Sequence, residues 1–459
     1  MWNRNEDTIC SVSTPHGVGG ISVIRVSGKK ALSICKNISK VLNNKESFES
    51  HKAYFSAVHD ETGHKIDEAV FTYFAHLKSF TGEEVVEISC HGSPFITQQI
   101  LDLLVRNGCR IADKGEFTFR AFMNGQLDLI EAESVLSLIE SQNKASATLA
   151  LRQLDGHVSK QFNFLISDLT WCLAHIEASI DFSEQGVETV DADILIQKLK
   201  KISSDLQKLF KSYESGKLIK DGVKLVLIGE PNVGKSSLLN QLVQNEKAIV
   251  TPIAGTTRDV IEVETTYNGI KYSLSDTAGL RETDNEIEII GIDRSKKEAE
   301  KADILGFVLD CSNNDWARVL HLVKLHSDKK RILIFNKSDL ISKHQQSLIK
   351  NKFENQDLVV FTSTTNSNCR DIIFSAVTKL ISDFSYRDEV VISSSRQYEH
   401  SLFAYNTILI CISELESGIG FEFVSLHLKE ALISLQKILG LVYDDQIIDR
   451  VFSEFCLGK

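Results

Sequence analysis

The run Gly229-Glu230-Pro231-Asn232-Val233-Gly234-Lys235-Ser236 constrains the fold more than any other feature of this chain. It follows an apolar, strand-like stretch and precedes the helix start Ser237-Leu238-Leu239-Asn240. Strand, Gly-rich loop ending in Gly-Lys-Ser, and helix together form a phosphate loop. Its glycines let backbone N–H groups close around phosphate. Lys235 reaches the β and γ phosphates, the Ser236 hydroxyl ligates Mg²⁺, and the helix N-terminus adds potential that favours an anion. Such a loop needs a sheet whose strands end beneath it. Strand-like runs at 223–228, 271–275, 304–309, 332–335 and 358–361 alternate with helical stretches, so a mostly parallel, doubly wound sheet is expected, with ligands at the carboxyl ends of its strands.

The other short motifs fall at those ends. Asp276-Thr277-Ala278-Gly279 closes one strand: Asp276 suits a Mg²⁺ carboxylate, and the Gly279 N–H can meet the γ-phosphate. Asn336-Lys337-Ser338-Asp339 closes another. A carboxylate at Asp339 accepts both the N1–H and the exocyclic amine of guanine, a donor pair that adenine lacks. Ser363-Thr364-Thr365 follows the last strand and closes over the base. Each motif alone is weak; their order on successive strand tips makes the signal specific. The water-orienting Gln of Ras-type GTPases would follow Gly279, but Leu280 stands there and cannot position water. Glu282, Glu286 and Glu288 are the acidic candidates for that role. No arginine finger is evident, so another cation must neutralise the developing charge. The loop Thr251-Pro252-Ile253-Ala254-Gly255-Thr256-Thr257-Arg258-Asp259 supplies hydroxyls and carbonyls which, with the Asn232 amide, suit a monovalent cation. Thr257 is expected to complete the Mg²⁺ shell.

The remainder of the 459 residues must fold around this module, and the length suggests about three domains. Residues 20–26 and 84–90 alternate like strands, and residues 96–107 read as a helix ended by Gly108, so the first region is α+β. Residues 120–220 and 393–440 carry helical spacing, as in Leu165, Leu169, Leu173, Ile176 and Ile180. The expected organisation is an α+β domain at 1–120, the first half of an all-α helical domain at 121–220, an inserted α/β P-loop GTPase domain at 221–386, and the second helical half at 387–459. Net charge is −11, which disfavours a generally nucleic-acid-binding surface but allows a local patch. The densest lysine run, Lys198 to Lys224, reads as a solvated helix face. Nine scattered cysteines without a Cys-x-x-Cys pair suggest reduced thiols in the cytosol. No apolar run reaches the roughly 18 residues of a membrane span, and residues 1–13 lack a secretory pattern. Gly17-Val18-Gly19-Gly20 opens a strand rather than following one and reads as a turn. His91 reads as a turn histidine, not a metal ligand.

Together with further motifs, these residues resemble the MnmE (TrmE) family of tRNA-modification GTPases. The resemblance runs the length of the chain: Asp7-Thr8-Ile9, Gly19-Gly20, Phe80-Thr81-Gly82-Glu83-Glu84, His91-Gly92, Gly115-Glu116-Phe117-Thr118-Phe119-Arg120-Ala121-Phe122, Leu127-Asp128-Leu129, Ile180-Asp181-Phe182, Ile290-Gly291-Ile292 and Phe455-Cys456-Leu457-Gly458-Lys459. It implies a homodimer formed through the N-terminal domain. It also implies a heterotetramer with the FAD-containing partner MnmG that modifies carbon 5 of the wobble uridine of certain tRNAs, with a folate such as 5-formyltetrahydrofolate as one-carbon donor. Potassium-dependent pairing of G domains would activate hydrolysis. Residue by residue, the resemblance places potassium at Asn232, Thr251, Ile253 and Thr256, and makes Glu288 the water-activating acid beside Lys235. It places folate at Arg25, Glu87 and Lys459; Gln126 stands where the family usually has Lys, and offers only a neutral hydrogen bond. By residue type alone, Arg25 reads as a strand-end charge, Glu87 as half of a structural ion pair, Lys459 as a loose terminus and Cys456 as a buried, inert thiol; the resemblance instead puts Cys456 near the folate and the tRNA base, with a role in modification.

Two rivals share the nucleotide motifs. A ribosome-assembly GTPase would append a KH-type or second GTPase module, and neither is visible. A GTP-switched scaffold would bind tRNA or partners without folate.

Overall fold

The computed structural model describes residues 7–181, 191–243, 262–276, 299–300, 302–313, 316–327, 329–353, 357–366, 368–381, 390–456 and 458–459. The chain divides into two compact units: Met1–Ile139, Leu151–Leu206 and His400–Lys459 form one, and Glu140–Ala150 with Gln207–Glu399 form the other.

The first unit is built on a mixed sheet of β1 (Thr8–Val12), β2 (Ile21–Ser27), β3 (Lys52–His59), β4 (Lys65–Phe74), β5 (Val85–His91) and β6 (Cys109–Ile111), in the order β3-β4-β5-β2-β1-β6. Period-two side-chain alternation decides which residues face the core. Ile24 and Val26 of β2, and Val86, Ile88 and Cys90 of β5, join a core with Ile34 and Cys35 of the helix Ala31–Asn37, Ile38 just after it, and Ile100 and Leu104 of the helix Pro94–Arg106. Pro94 starts the latter helix, where its missing N–H costs nothing. Arg25 and Glu87 stand on the other face and are direct partners in the β2–β5 register.

That other face is anchored by a charge network. The Arg120 guanidinium reaches Asp7 Oδ1 at 2.7 Å, Glu116 Oε1 at 3.0 Å and Glu83 at 3.2 Å. Arg110 bonds the same Asp7 and Glu116 carboxylates. Three acids on three separate segments are thus held by two arginines. Burial pushes the Asp7 carboxyl up, but hydrogen bonds and charge from Arg110 and Arg120 outweigh it and hold the group below its ordinary value. The helix carrying Glu116 and Arg120, Glu116–Met123, packs Phe119 and Phe122 against Phe452 and Phe455 beside the helix Asp445–Ser453. At Gly115 the backbone has φ +70°, and a Cβ would stand 2.4 Å from the Phe452 carbonyl, so only glycine fits. Further along, His157–Asp181 lays Leu165, Leu169, Leu173 and Ile176 on one stripe, and Phe421–Leu439 answers with Val424, Leu428, Ala431, Leu435 and Ile438; the two helices pack together.

The second unit is the doubly wound sheet. Its strands are β7 (Val223–Gly229), β8 (Glu262–Tyr267), β9 (Ile270–Asp276), β10 (Ile304–Asp310), β11 (Lys330–Asn336) and β12 (Leu358–Phe361), in the order β12-β11-β10-β7-β9-β8. All pairs are parallel except β8 with β9. That hairpin turns at Asn268-Gly269, both at positive φ, as a tight two-residue turn requires. Apolar cores cover both faces: Leu225, Leu227 and Ile334 lie under the helices Lys235–Val243 and Cys369–Ile381, while Phe307, Leu333 and Phe335 lie against Trp316 and Phe353. The carboxyl ends of β7, β9, β10, β11 and β12 therefore share one edge.

Replacing Arg120 by Met leaves Asp7 and Glu116 to Arg110 alone and takes from Glu83 its guanidinium partner. We expect thermal or urea unfolding of the first unit to show a loss of about 3–5 kcal/mol at neutral pH. Because Asp7's carboxyl is lowered in the folded state, its contribution is present above its unfolded pKa of about 4 and lost as pH falls through the folded value. The gap between wild type and R120M should accordingly narrow below about pH 4, and a constant gap would show that the network does not act through ionised carboxylates.

Candidate functional site

At the tip of β7 the chain turns into the helix Lys235–Val243. Gly229 is required where the loop leaves the strand, since a Cβ there would lie 2.4 Å from the Val308 carbonyl. The Lys235 side chain is buried, and its Nζ donates to the carbonyls of Gly229 at 2.8 Å and Glu230 at 2.7 Å. This brace fixes the curvature of the loop and holds the ammonium inside it. Ser236 and Ser237 are exposed on the first helical turn. Asp276 ends β9 directly opposite Leu227 of β7, which puts its backbone at the same sheet edge.

The loop after β11 is fastened to this phosphate loop. Asn336 is 1% exposed, and its Nδ2 donates to the Val233 carbonyl at 2.9 Å. Gly234, at φ +95°, leaves room for that amide: a Cβ would come within 2.4 Å of Nδ2. The Lys337 ammonium donates to Asn232 O at 3.1 Å and to Asp310 Oδ2 at 2.6 Å. Asp339 is oriented by the Ser363 hydroxyl, which donates to Oδ1 at 2.5 Å, and Ser363 also meets the Thr365 hydroxyl at 2.7 Å. Gln241 on the helix donates to the Thr364 carbonyl at 2.8 Å. The structure thus gathers Asn232, Val233, Gly234, Lys235, Ser236, Asn336, Lys337, Ser338, Asp339, Ser363, Thr364 and Thr365 along one edge. Thr251, Pro252, Ile253, Ala254, Gly255, Thr256, Thr257, Thr277, Ala278, Gly279, Glu282, Glu286 and Glu288 lie outside the described residues. Sequence reasoning missed Asp310 and Gln241. Asp310 was visible as an acid at the tip of an apolar strand; nothing in the sequence marks Gln241.

A second polar site sits on the face of the first unit's sheet that carries Arg25 and Glu87. Arg25 pairs with Glu87 at 2.9 Å, and its guanidinium stands over the rings of Phe80 and Phe117 at 5.7 and 5.6 Å. The C-terminus closes against it. Arg25 Nη1 donates to Gly458 O at 3.4 Å, as does the Ser13 hydroxyl at 3.2 Å. At Gly458, with φ +85°, a Cβ would fall 2.1 Å from the Val12 carbonyl, so this approach also demands glycine. Burial and the nearby Arg25 charge lower the Lys459 ammonium pKa, against the pull of Glu87. Arg25 is thus no loose strand-end charge, and Lys459 is a half-buried, packed terminus. Gln126 is exposed and lies beside Gly82. Cys456 is exposed, contrary to the burial its residue type suggests, while the other eight cysteines are buried free thiols. Rings and guanidinium beside a carboxylate and an ammonium suit a flat, partly anionic, hydrogen-bonding ligand.

His91 Nδ1 pairs with Asp67 at 2.6 Å and, like the rest of the described residues, belongs to no group of three or more metal-ligating side chains. In the lysine run, Lys198 is ion-paired with Asp168 and Lys200 with Glu416. Among the described residues no helix is long and apolar enough to cross a membrane.

Comparison with known proteins gives a consistent result. The MnmE helical domain model matches residues 129–456, and the model of the GTP-binding protein TrmE N-terminus matches residues 8–126. A tRNA modification GTPase MnmE of Bdellovibrio bacteriovorus is 46% identical over 474 residues, covering 100% of this chain and 98% of that one. The MnmE of Acetivibrio thermocellus is 36% identical, covering 99% of each. Among solved structures, the G domain of the T. maritima FeoB iron transporter is 28% identical over 34% of this chain and 98% of that one, with a TM-score of 0.28.

A Gly234→Ala variant forces a Cβ against the Asn336 amide on a left-handed backbone. We expect it to lower the stability of the second unit by about 1–3 kcal/mol in urea titration, and unchanged stability would mean that the Asn336–Val233 contact carries no free energy.

Proposed function

Because the chain belongs to the MnmE family of tRNA modification GTPases, we propose that it binds GTP along the edge formed by β7, β9, β10, β11 and β12 and hydrolyses it in the course of modifying tRNA. The observation that carries the nucleotide half of this reading is the placement of Asp339, steered by Ser363, on a loop bonded directly to the phosphate loop. A guanine accepted by that carboxylate has its phosphates delivered to the backbone around Asn232–Lys235, where Lys235 and the helix N-terminus meet their charge. Ser236 and Asp276 stand at the edge where a Mg²⁺ ion of the nucleotide would be held, with Thr257 completing its shell. The Asn232 amide, with Thr251, Ile253 and Thr256, would hold potassium. When bound, these cations supply positive charge against that developing on the breaking phosphate bond. Glu288 is the acid assigned to orient the attacking water, a part that Leu280 cannot play.

The second site supports a folate as one-carbon donor. Arg25 and the Lys459 ammonium offer charge-assisted contacts, Phe80 and Phe117 offer ring faces, and Gln126 contributes a neutral hydrogen bond. With an FAD-containing MnmG partner and a second copy of this chain, the product is a carboxymethylaminomethyl or aminomethyl group on carbon 5 of a wobble uridine. Cys456, exposed beside the packed C-terminus, serves modification rather than hydrolysis in this reading.

Three outcomes are expected. Asp339→Asn should weaken GDP binding about a hundredfold while improving binding of xanthosine diphosphate, whose base offers an acceptor where guanine offers an amine. Hydrolysis should run faster in potassium than in sodium at equal ionic strength; equal rates would remove the cation from the account. Mass spectrometry of tRNA nucleosides from cells lacking this protein should show loss of a uridine-5 modification, restored by the wild-type chain but not by the Asp339→Asn variant; an unaltered nucleoside profile would favour a scaffold.

A further inference from the structure

We propose that Asp310 is a positioning residue of the nucleotide site: it acts through Lys337 to hold the base-reading loop and the phosphate loop at the spacing a nucleoside phosphate requires. The inference rests on the nucleotide reading above and goes beyond it.

Three positive-φ residues other than glycine occur among the described residues of the second unit: Asn232, Asn268 and Lys337. Asn268 belongs to the β8–β9 hairpin turn. The other two sit in the two loops that must act together, Asn232 at φ +64° in the phosphate loop and Lys337 at φ +57° in the base-reading loop. A left-handed backbone at a lysine is unfavourable unless its surroundings over-determine it. What ties the pair is a single ammonium: Lys337 Nζ donates to Asn232 O at 3.1 Å and to Asp310 Oδ2 at 2.6 Å. The carboxylate is the shorter and charged acceptor, so it contributes more to the ammonium's position than the neutral carbonyl does.

Asp310 is itself fixed. It ends β10, the strand between β7 and β11, so it stands between the tips from which the two loops spring. Its second oxygen accepts from the Ser312 N–H at 2.8 Å and the Ser312 hydroxyl at 2.6 Å, and its backbone carbonyl accepts from Trp316 Nε1 at 3.0 Å. The side chain is 15% exposed, against 34% for Lys337. Both carboxylate oxygens and the backbone carbonyl of Asp310 thus have partners, and with Oδ1 held by Ser312 the other oxygen is presented to Lys337. Burial works against ionisation of the group, but Lys337 and Ser312 more than compensate, and its carboxyl lies below the ordinary range, so it is anionic near neutral pH.

Without the carboxylate, Lys337 keeps only its neutral, longer contact to Asn232, and the brace between the two strained loop residues is weakened. A ligand that spans both loops should then bind more weakly, while chemistry at the phosphates is unaffected once the ligand is bound. The test is titration of the purified full-length chain with GDP in magnesium, for wild type, Asp310→Ala, the size-matched Asp310→Asn, Lys337→Met and the Asp310→Ala/Lys337→Met pair, with GTP turnover measured alongside. We expect each Asp310 variant to raise the GDP dissociation constant about tenfold and to raise KM with kcat nearly unchanged. We also expect the double variant to bind no worse than Lys337→Met alone, the non-additivity of residues that act as one unit. Should Asp310→Ala melt at the assay temperature, Asp310→Asn decides. Unchanged GDP affinity in Asp310→Asn, or a double variant whose loss is the product of the single losses, overturns the proposal while leaving the nucleotide site intact. A wild-type chain that binds no GDP overturns the nucleotide reading and this inference with it.

Discussion

The hydrogen bond from the Asn336 amide to the Val233 carbonyl, 2.9 Å long and buried between the loops that follow β7 and β11, is the contact on which the proposed nucleotide site depends. A nucleotide is a two-ended ligand, with a base at one end and phosphates at the other. A protein that reads both needs two loops at a fixed separation. Parallel strands set the coarse spacing through their register, but loops at strand tips are the freest part of a sheet. This bond removes that freedom, and burial raises the cost of breaking it. The absence of a side chain at Gly234 is what admits the amide, so the glycine serves loop-to-loop packing.

The first unit solves a comparable problem with charge. Residues from three distant stretches, Asp7, Glu83 and Glu116, are gathered by Arg110 and Arg120. Desolvating so many charges is offset only because each carboxylate finds a guanidinium N–H. The resulting frame lets the C-terminal residues close on Arg25 by direct backbone approach at Gly458. Residues that look unrelated in sequence, the Gly-Glu-Phe-Thr-Phe-Arg run and the terminal Gly-Lys, therefore serve the same sheet face.

Much of this was legible from the amino acids, and the gaps have physical causes. The strands of the nucleotide unit read clearly because a parallel sheet covered on both faces yields near-continuous apolar runs. β8 escaped that reading: as an edge strand, Glu-Val-Glu-Thr-Thr-Tyr is half polar, and its one strong signal was the Asn268-Gly269 turn. In the first unit, β2 and β5 stood out as alternating runs, whereas β3 and β4 carry buried Ser56 and Asp67 that blur their pattern. Helices at both ends were legible from the spacing of their leucines and isoleucines. At the candidate site, the motif residues gathered on one sheet edge stood out in the sequence because phosphate and guanine chemistry would demand particular residue types. Asp310 and Gln241 did not, because their work is to hold other residues, and a supporting hydrogen bond leaves no fixed spacing in the chain. Cys456 shows the limit of residue type: cysteine is usually buried, yet here it is exposed beside a packed terminus.

The most direct check on the account is calorimetric titration of the purified full-length chain, in magnesium, with GDP and then with ADP. The arrangement of Asp339, Asn336 and the phosphate loop predicts saturable one-to-one binding of GDP and a preference over ADP of at least about a thousandfold, as expected when a site built for a donor pair meets a base that lacks it. Equal affinity for the two diphosphates, or no binding of either, would contradict it.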